Sequence, residues 1–209
     1  MPPMASSIHP DFRDDVTVAQ ARAADEKTER LFFEQQVAKR AGDMDRYLQL
    51  AQEMLQTRLG VYKPDSMPVG DAWCLIGSAY RRESKLQEAI EATEKSIEIH
   101  AAGDNEDNFV LAREQFCLIL EDMEKLSDAK EIRLRGASTG RMVCSSPQCH
   151  FQSYDFRLLN RGIRLFNLTE LHGCGGCRSA FYCSQTCQKQ EWKRHKSPCK
   201  KYVSSKTEA

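Results

Sequence analysis

The chain has 209 residues, of which 41% are hydrophobic and 29% charged, and its formal net charge at neutral pH is zero. That composition is expected of a soluble globular protein with one or two domains. It contains no run long or apolar enough to span a bilayer and no basic-then-apolar N-terminal leader, so a membrane partner is not expected and an intracellular protein, in nucleus or cytoplasm, is.

In chain order, residues 1–15 hold three prolines and show no periodicity, which predicts a loose arm. Residues 16–137 predict an α-helical domain. Leu31, Phe32, Val37 and Ala38 form one apolar stripe, and Tyr47, Leu48, Ala51, Met54 and Leu55 form a second, both near helical spacing. Gly42 separates them. Residues 60–70, with Pro64 and Pro68, predict a loop. Trp73, Ile76, Gly77 and Tyr80 mark the next helix, and Leu86, Ala89, Ile90, Thr93 and Ile97 the one after it. A polar loop at 101–108 precedes two more helices, one with Ala112, Phe116, Leu120 and Met123 and one with Leu126, Ala129 and Ile132. Similar positions recur at a shift of about 40 residues, as stacked helical hairpins do.

The segment Trp73-x2-Ile76-Gly77-x2-Tyr80, followed by Ala89, resembles the tetratricopeptide repeat pattern W-x2-L-G-x2-Y with its later alanine. The full pattern occurs once, so a generic helical bundle is the alternative. Gly77, having no side chain, would let two helices approach closely. Residues 136–141 (GASTGR) predict a joint between the halves, and residues 203–209 a frayed tail.

Charge is unevenly divided. Residues 1–140 carry 18 Lys+Arg against 26 Asp+Glu, and residues 141–209 carry 12 against 4. Seven of the nine cysteines lie in the second part. They fall into pairs: Cys144-x4-Cys149, Cys174-x2-Cys177, Cys183-x3-Cys187 and His195-x3-Cys199. Eight soft ligands suffice for two closed tetrahedral zinc sites. In a reducing compartment clustered thiols point to metal rather than to disulfides. Residues 142–202 have few large apolar side chains, so structural zinc, worth about 10–16 kcal/mol per site in small peptides, is expected to hold this region together. Loss of one ligand should then unfold it.

Residues 182–199 read YCSQTCQKQEWKRHKSPC. This run resembles the MYND zinc finger, whose pattern YCSxxCQxxxWxxHKxxC it matches at every fixed position, and Cys174-x2-Cys177 stands at the usual distance upstream. The first pair departs from the family: it is usually C-x2-C and close to the second, but here 24 residues separate Cys149 from Cys174. His150 or His172 could replace one of its sulfurs. The intervening insert, 150–172, is apolar-rich and expected to be packed. The resemblance implies interleaved sites, with Cys144, Cys149, Cys183 and Cys187 on one zinc and Cys174, Cys177, His195 and Cys199 on the other. The sequence alone also permits sequential pairing. The resemblance further implies a protein-interaction adaptor that takes short proline-containing peptides as an added strand, with Gln188 and Trp192 as contacts. The opposing expectation for Trp192 is a core residue of a small finger.

Two other functions compete with this reading. Some MYND fingers sit in SET-domain lysine methyltransferases, but this chain has no Asn-His-Ser/Cys signature and no room for a β-rich SET fold, so no enzyme is expected. The basic run Lys189, Lys193, Arg194, Lys196, Lys200 and Lys201 could contact nucleic acid, as in a transcriptional regulator, or serve as a nuclear address. It could equally be a solvated helix face. Cys74 and Cys117 are expected to be small buried hydrophobes.

Overall fold

The computed structural model describes residues 9–103, 106–137, 140–152 and 162–207. The chain divides into two compact units, Met1–Glu106 and Asp107–Ala209.

The first unit is built from four helices: α1 (Val18–Ala41), α2 (Met44–Leu59), α3 (Met67–Arg82) and α4 (Leu86–Ala102). Each packs on the next in sequence. Short connections of two or three residues turn the chain back between α1 and α2 and between α3 and α4. Thr17 starts α1 with a reciprocal capping box with Gln20, and Gly42 ends it in the left-handed region at φ 76°. Asp43 then caps α2, accepting from the Arg46 amide at 3.0 Å.

The predicted stripe on α1 needs a correction. Leu31 and Ala38 are buried, but Val37 is 64% exposed. The missing place is taken by Gln35, fully buried, whose amide donates to the Tyr47 carbonyl at 3.2 Å. A polar side chain with a partner can occupy the core-facing position. The predicted loop is also shorter than its prolines suggest. Pro68 lies in the first turn of α3, where the missing N–H costs no intrahelical bond. The core of this unit gathers Leu31, Tyr47, Leu50, Met54, Tyr62, Val69 and Ile76, with Trp73 and Tyr80 partly buried against it. Of the predicted arm, residues 1–8 lie outside the described residues. The remainder is not loose: Arg13 donates to the Val61 carbonyl at 2.9 Å and Lys63 to that of Asp11 at 3.1 Å, pairing Phe12 with Tyr62.

The second unit contains α5 (Glu106–Asp122), α6 (Leu126–Ala137), a two-stranded antiparallel ladder of β1 (His172–Gly173) and β2 (Phe181–Tyr182), and α7 (Gln185–Thr207). The unit boundary thus precedes α5, whereas the glycine-containing joint at 136–141 predicted it about one hairpin later. The reason is side-chain burial. Leu126 of α6 packs among the clustered cysteines, and Arg133 of α6 reaches the Ser179 carbonyl at 2.7 Å. Cys117, Leu120 and Ala129 form a small apolar contact between α5 and α6.

Of the insert, residues 153–161 lie outside the described residues. Its later part is packed as expected: Phe166 and Leu171 are buried with Met142 and Phe181. Met142 and Phe166 exchange both backbone hydrogen bonds, at 3.2 and 2.8 Å. The predicted frayed tail is instead helical as far as Thr207. Val203 lies against the glycine turn of the finger, and the Thr207 hydroxyl donates to the Val203 carbonyl at 2.9 Å.

Candidate metal centre

Local chemistry positions each pair of ligands. Cys174 and Cys177 flank a turn that follows β1, and the Arg178 amide closes it on the Cys174 carbonyl at 3.0 Å. A Cβ on Gly176 would stand 3.0 Å from the Cys199 sulfur, so that position keeps the turn close to the last ligand. Cys183 follows β2. Cys187 lies in the first turn of α7, where its amide donates to the Ser184 hydroxyl at 3.2 Å. His195 and Cys199 are one turn apart on the same helix and share a face. Cys144 and Cys149 come from the segment before the insert, which Ser145 fastens to β2: its amide donates to the Phe181 carbonyl at 2.8 Å, and its hydroxyl accepts from the Phe181 amide at 3.1 Å.

These elements bring together two sets of four ligand atoms, each set within 4.8 Å: Cys144, Cys149, Cys183 and Cys187, and Cys174, Cys177, His195 and Cys199. The grouping is interleaved, not sequential. His150 and His172 are exposed and belong to neither set. Sulfur separations are 3.6 Å for Cys149–Cys183 and for Cys183–Cys187, and 3.7 Å for Cys174–Cys199. The Cys177 sulfur is 3.3 Å from His195 Nε2. A zinc tetrahedron with bonds of about 2.3 Å to sulfur has sulfur–sulfur edges of about 3.8 Å, so both sets fit the ion. The chemistry of the sets agrees. Hydrogen bonding to Cys149 and burial push the Cys144 thiol far up, and burial pushes Cys183 up to about 12. Cys174, by contrast, is pulled down to about 3 by hydrogen bonds from Cys177 and His195. Crowded, buried thiols cannot all ionise alone, and a dication bound between them resolves that conflict.

Behind the second set lies a buried polar network absent from the sequence reading. His195 is fully buried, with Nδ1 3.0 Å from Oε2 of Glu121, itself fully buried on α5. Glu121 also meets Arg133 and, at 2.8 Å, Arg194. Arg133 forks onto Glu114 through Nε at 3.0 and 3.1 Å, and Arg194 reaches Asp122 at 2.8 Å and Glu191. Burial alone would raise the Glu121 carboxyl, but Arg133, His195 and Arg194 outweigh it and hold it far below the usual carboxylate range. The available sequence signal was the spacing of Glu114, Cys117 and Glu121, which places two acids on the buried face of α5.

Trp192 is 38% exposed, which removes the expectation that it is a core residue. Its ring lies 6.2 Å from that of His195. Gln188, one turn earlier, is half-buried. In the basic run, Arg194 is absorbed by the acidic network, and Lys201 pairs with Glu124. Lys189, Lys193, Lys196 and Lys200 are exposed.

Comparison with known proteins agrees with this geometry. The MYND finger family matches residues 164–199, and that segment is a MYND zinc finger preceded by a mostly helical region. MYND fingers bind zinc and mediate protein–protein interaction, and the two clusters here can hold two ions. Cys144 and Cys149 fall outside the matched range, so their placement rests on the geometry above. Three curated relatives are similar over the finger. SET domain-containing protein 14 of Caenorhabditis elegans is 50% identical over 36 residues, 17% of this chain and 8% of that protein. Histone-lysine N-methyltransferase Smyd1 of Mus musculus is 53% identical over 36 residues, 16% and 7% of the two chains. Histone-lysine N-methyltransferase SMYD1 of Homo sapiens is 53% identical over 30 residues, 14% and 6%. The chain therefore spans less than a tenth of each relative's length, and the similarity stays within a non-enzymatic module. Comparison with solved structures gave no significant match. Among the described residues, no helix is long and apolar enough to cross a membrane.

Proposed function

We propose that this chain is an intracellular, non-enzymatic adaptor that binds two zinc ions per molecule. Cys144, Cys149, Cys183 and Cys187 hold the first, and Cys174, Cys177, His195 and Cys199 the second. Its finger docks short proline-containing peptides of partner proteins at Gln188 and Trp192. The observation that carries this reading is the exposed indole of Trp192, held beside a closed metal centre instead of in the core. Proline stacks on such a face at small entropic cost, because its ring already fixes the peptide backbone. The ladder residues of β1, both exposed, offer the strand to which the peptide can add. Residues 16–137 are read as TPR-like hairpins that support the adaptor role.

Nucleic-acid binding through the basic face of α7 is the weaker reading, since Arg194 is committed to the buried acids Glu121 and Glu191. The methyltransferase activity named for two relatives is not assigned to this chain, because the shared segment covers the finger alone.

The test is titration with a labelled proline-rich peptide, followed by fluorescence anisotropy. Trp192→Ala should abolish binding while mass spectrometry still counts two zinc ions. Equal binding by the variant and the parent protein would refute the docking site. Fewer than two ions in the parent protein would refute the ligand assignment.

A further inference from the structure

A buried carboxylate from outside the finger stands behind the second ligand set. His195 turns Nε2 toward the Cys177 sulfur at 3.3 Å, which makes Nε2 the metal-facing nitrogen. Its proton must then sit on Nδ1, which points at Glu121 Oε2 at 3.0 Å. Glu121 lies 74 residues earlier in the chain, on α5, before the matched finger segment begins. Both side chains are fully shielded from water. Arg133 and Arg194 hold the carboxylate in place from either side. A ligand imidazole that donates its second N–H to a fixed carboxylate has its ring plane and tautomer set, and it becomes a stronger donor to the metal.

We propose that Glu121 is the outer carboxylate that orients and strengthens His195 as a zinc ligand, so that α5 is a working part of the second zinc centre. Residues 164–199 would then be an incomplete metal site on their own. This inference rests on the ligand assignment proposed above.

The test uses the full chain and zinc itself. Competition with a chromogenic chelator gives the affinity of each centre. Cobalt(II) substitution separates them, because a site of three sulfurs and one nitrogen absorbs at different wavelengths from one of four sulfurs. Glu121→Gln should weaken the mixed-ligand centre by about 10- to 100-fold and shift its cobalt band, leaving the all-sulfur centre unchanged. Glu114→Gln is the control. It disturbs the same buried Arg133 but does not touch His195, so both centres should keep their affinity and bands.

Unchanged zinc affinity in Glu121→Gln would overturn the inference. So would equal losses in the two variants, which would mean a general effect of the ion network. If Glu121→Gln does not fold by circular dichroism, Glu121→Asp takes its place. It keeps the charge between the arginines but withdraws from Nδ1, and a mixed-ligand centre of parental affinity would again refute the proposal. A parent protein holding fewer than two zinc ions would refute the ligand assignment and this inference with it.

Discussion

Tyr62 and Cys117 show how burial sets the chemistry of single groups. The Tyr62 hydroxyl donates to both carboxylate oxygens of Asp25, at 2.8 and 2.7 Å, from a fully buried ring. Burial first, then the hydrogen bond and charge of Asp25, raise its pKa well above the ordinary value of 10. The neutral phenol is the favoured form in the folded chain. Its contribution to stability is therefore complete below pH 10, and is lost as the pH rises from there toward the folded pKa. Alkaline unfolding followed by circular dichroism should begin above pH 10, and Tyr62 and the buried Tyr182, whose pKa burial also raises, should give phenolate absorbance only as the chain unfolds. Tyr62→Phe should cost about 1.5–3 kcal/mol, the usual worth of a hydrogen bond to a charged group, read from denaturant midpoints. Cys117 behaves as the small buried hydrophobe expected of it: burial pushes its thiol up to about 12. It should resist alkylation at pH 8 in the folded protein and react on denaturation, as peptide mapping can show.

At the scale of single elements, Gly77 and Thr93 fix the closest approach of α3 and α4. A Cβ on Gly77 would stand 2.3 Å from the Thr93 hydroxyl and 3.2 Å from the Ala89 carbonyl. That hydroxyl already donates to the Ala89 carbonyl at 2.7 Å. Gly77→Ala should therefore destabilise the first unit by about 1–3 kcal/mol, as overpacking does. Thr93→Ala in the same chain should recover part of the loss, so thermal melts of the single and double variants should differ from additivity. This close approach was legible in the sequence because an aromatic-flanked glycine at helical spacing has few other uses. The α1 stripe was less legible. Hydrophobic periodicity chose Val37, but a buried amide with a partner serves as well as an alkyl group, and Gln35 has that partner in Tyr47. Metal ligands were the most legible of all, since zinc demands particular side chains in close pairs. Their interleaved grouping was not legible from spacing, which also permits sequential pairing, and came only from the MYND resemblance; in the structure it depends on how Ser145 fastens the first pair to β2. The partner of Glu121 was invisible for a related reason: spacing can place an acid on a buried face, but nothing in a helix sequence reveals which distant imidazole it will meet.

At the scale of the whole chain, the two compact units should answer differently to metal removal. A strong chelator should unfold the unit spanning Asp107–Ala209, because its cysteines are core residues as well as ligands and Leu126 packs among them. The unit spanning Met1–Glu106 has its own apolar core and should keep its helices. Limited proteolysis with and without chelator, read by mass spectrometry, should leave protected fragments from the first unit alone. The Arg133 network adds a second way to disrupt the metal-bearing unit. Arg133→Ala would leave Glu114 buried without its partner and Glu121 with Arg194 and His195 alone, at a cost of about 3–5 kcal/mol, and that variant should melt early even when loaded with zinc.

The paired hydrogen bonds between Met142 and Phe166 have one more consequence. They tie the segment just before the first ligand pair to the later part of the insert. The cost of closing a loop grows as the logarithm of its length, about 0.6 kcal/mol for each doubling. The distance in sequence from Cys149 to Cys174 is therefore nearly a free parameter of this fold. A search that fixes the spacing between ligands would find three of the four pairs and miss the fourth, although all four converge in space.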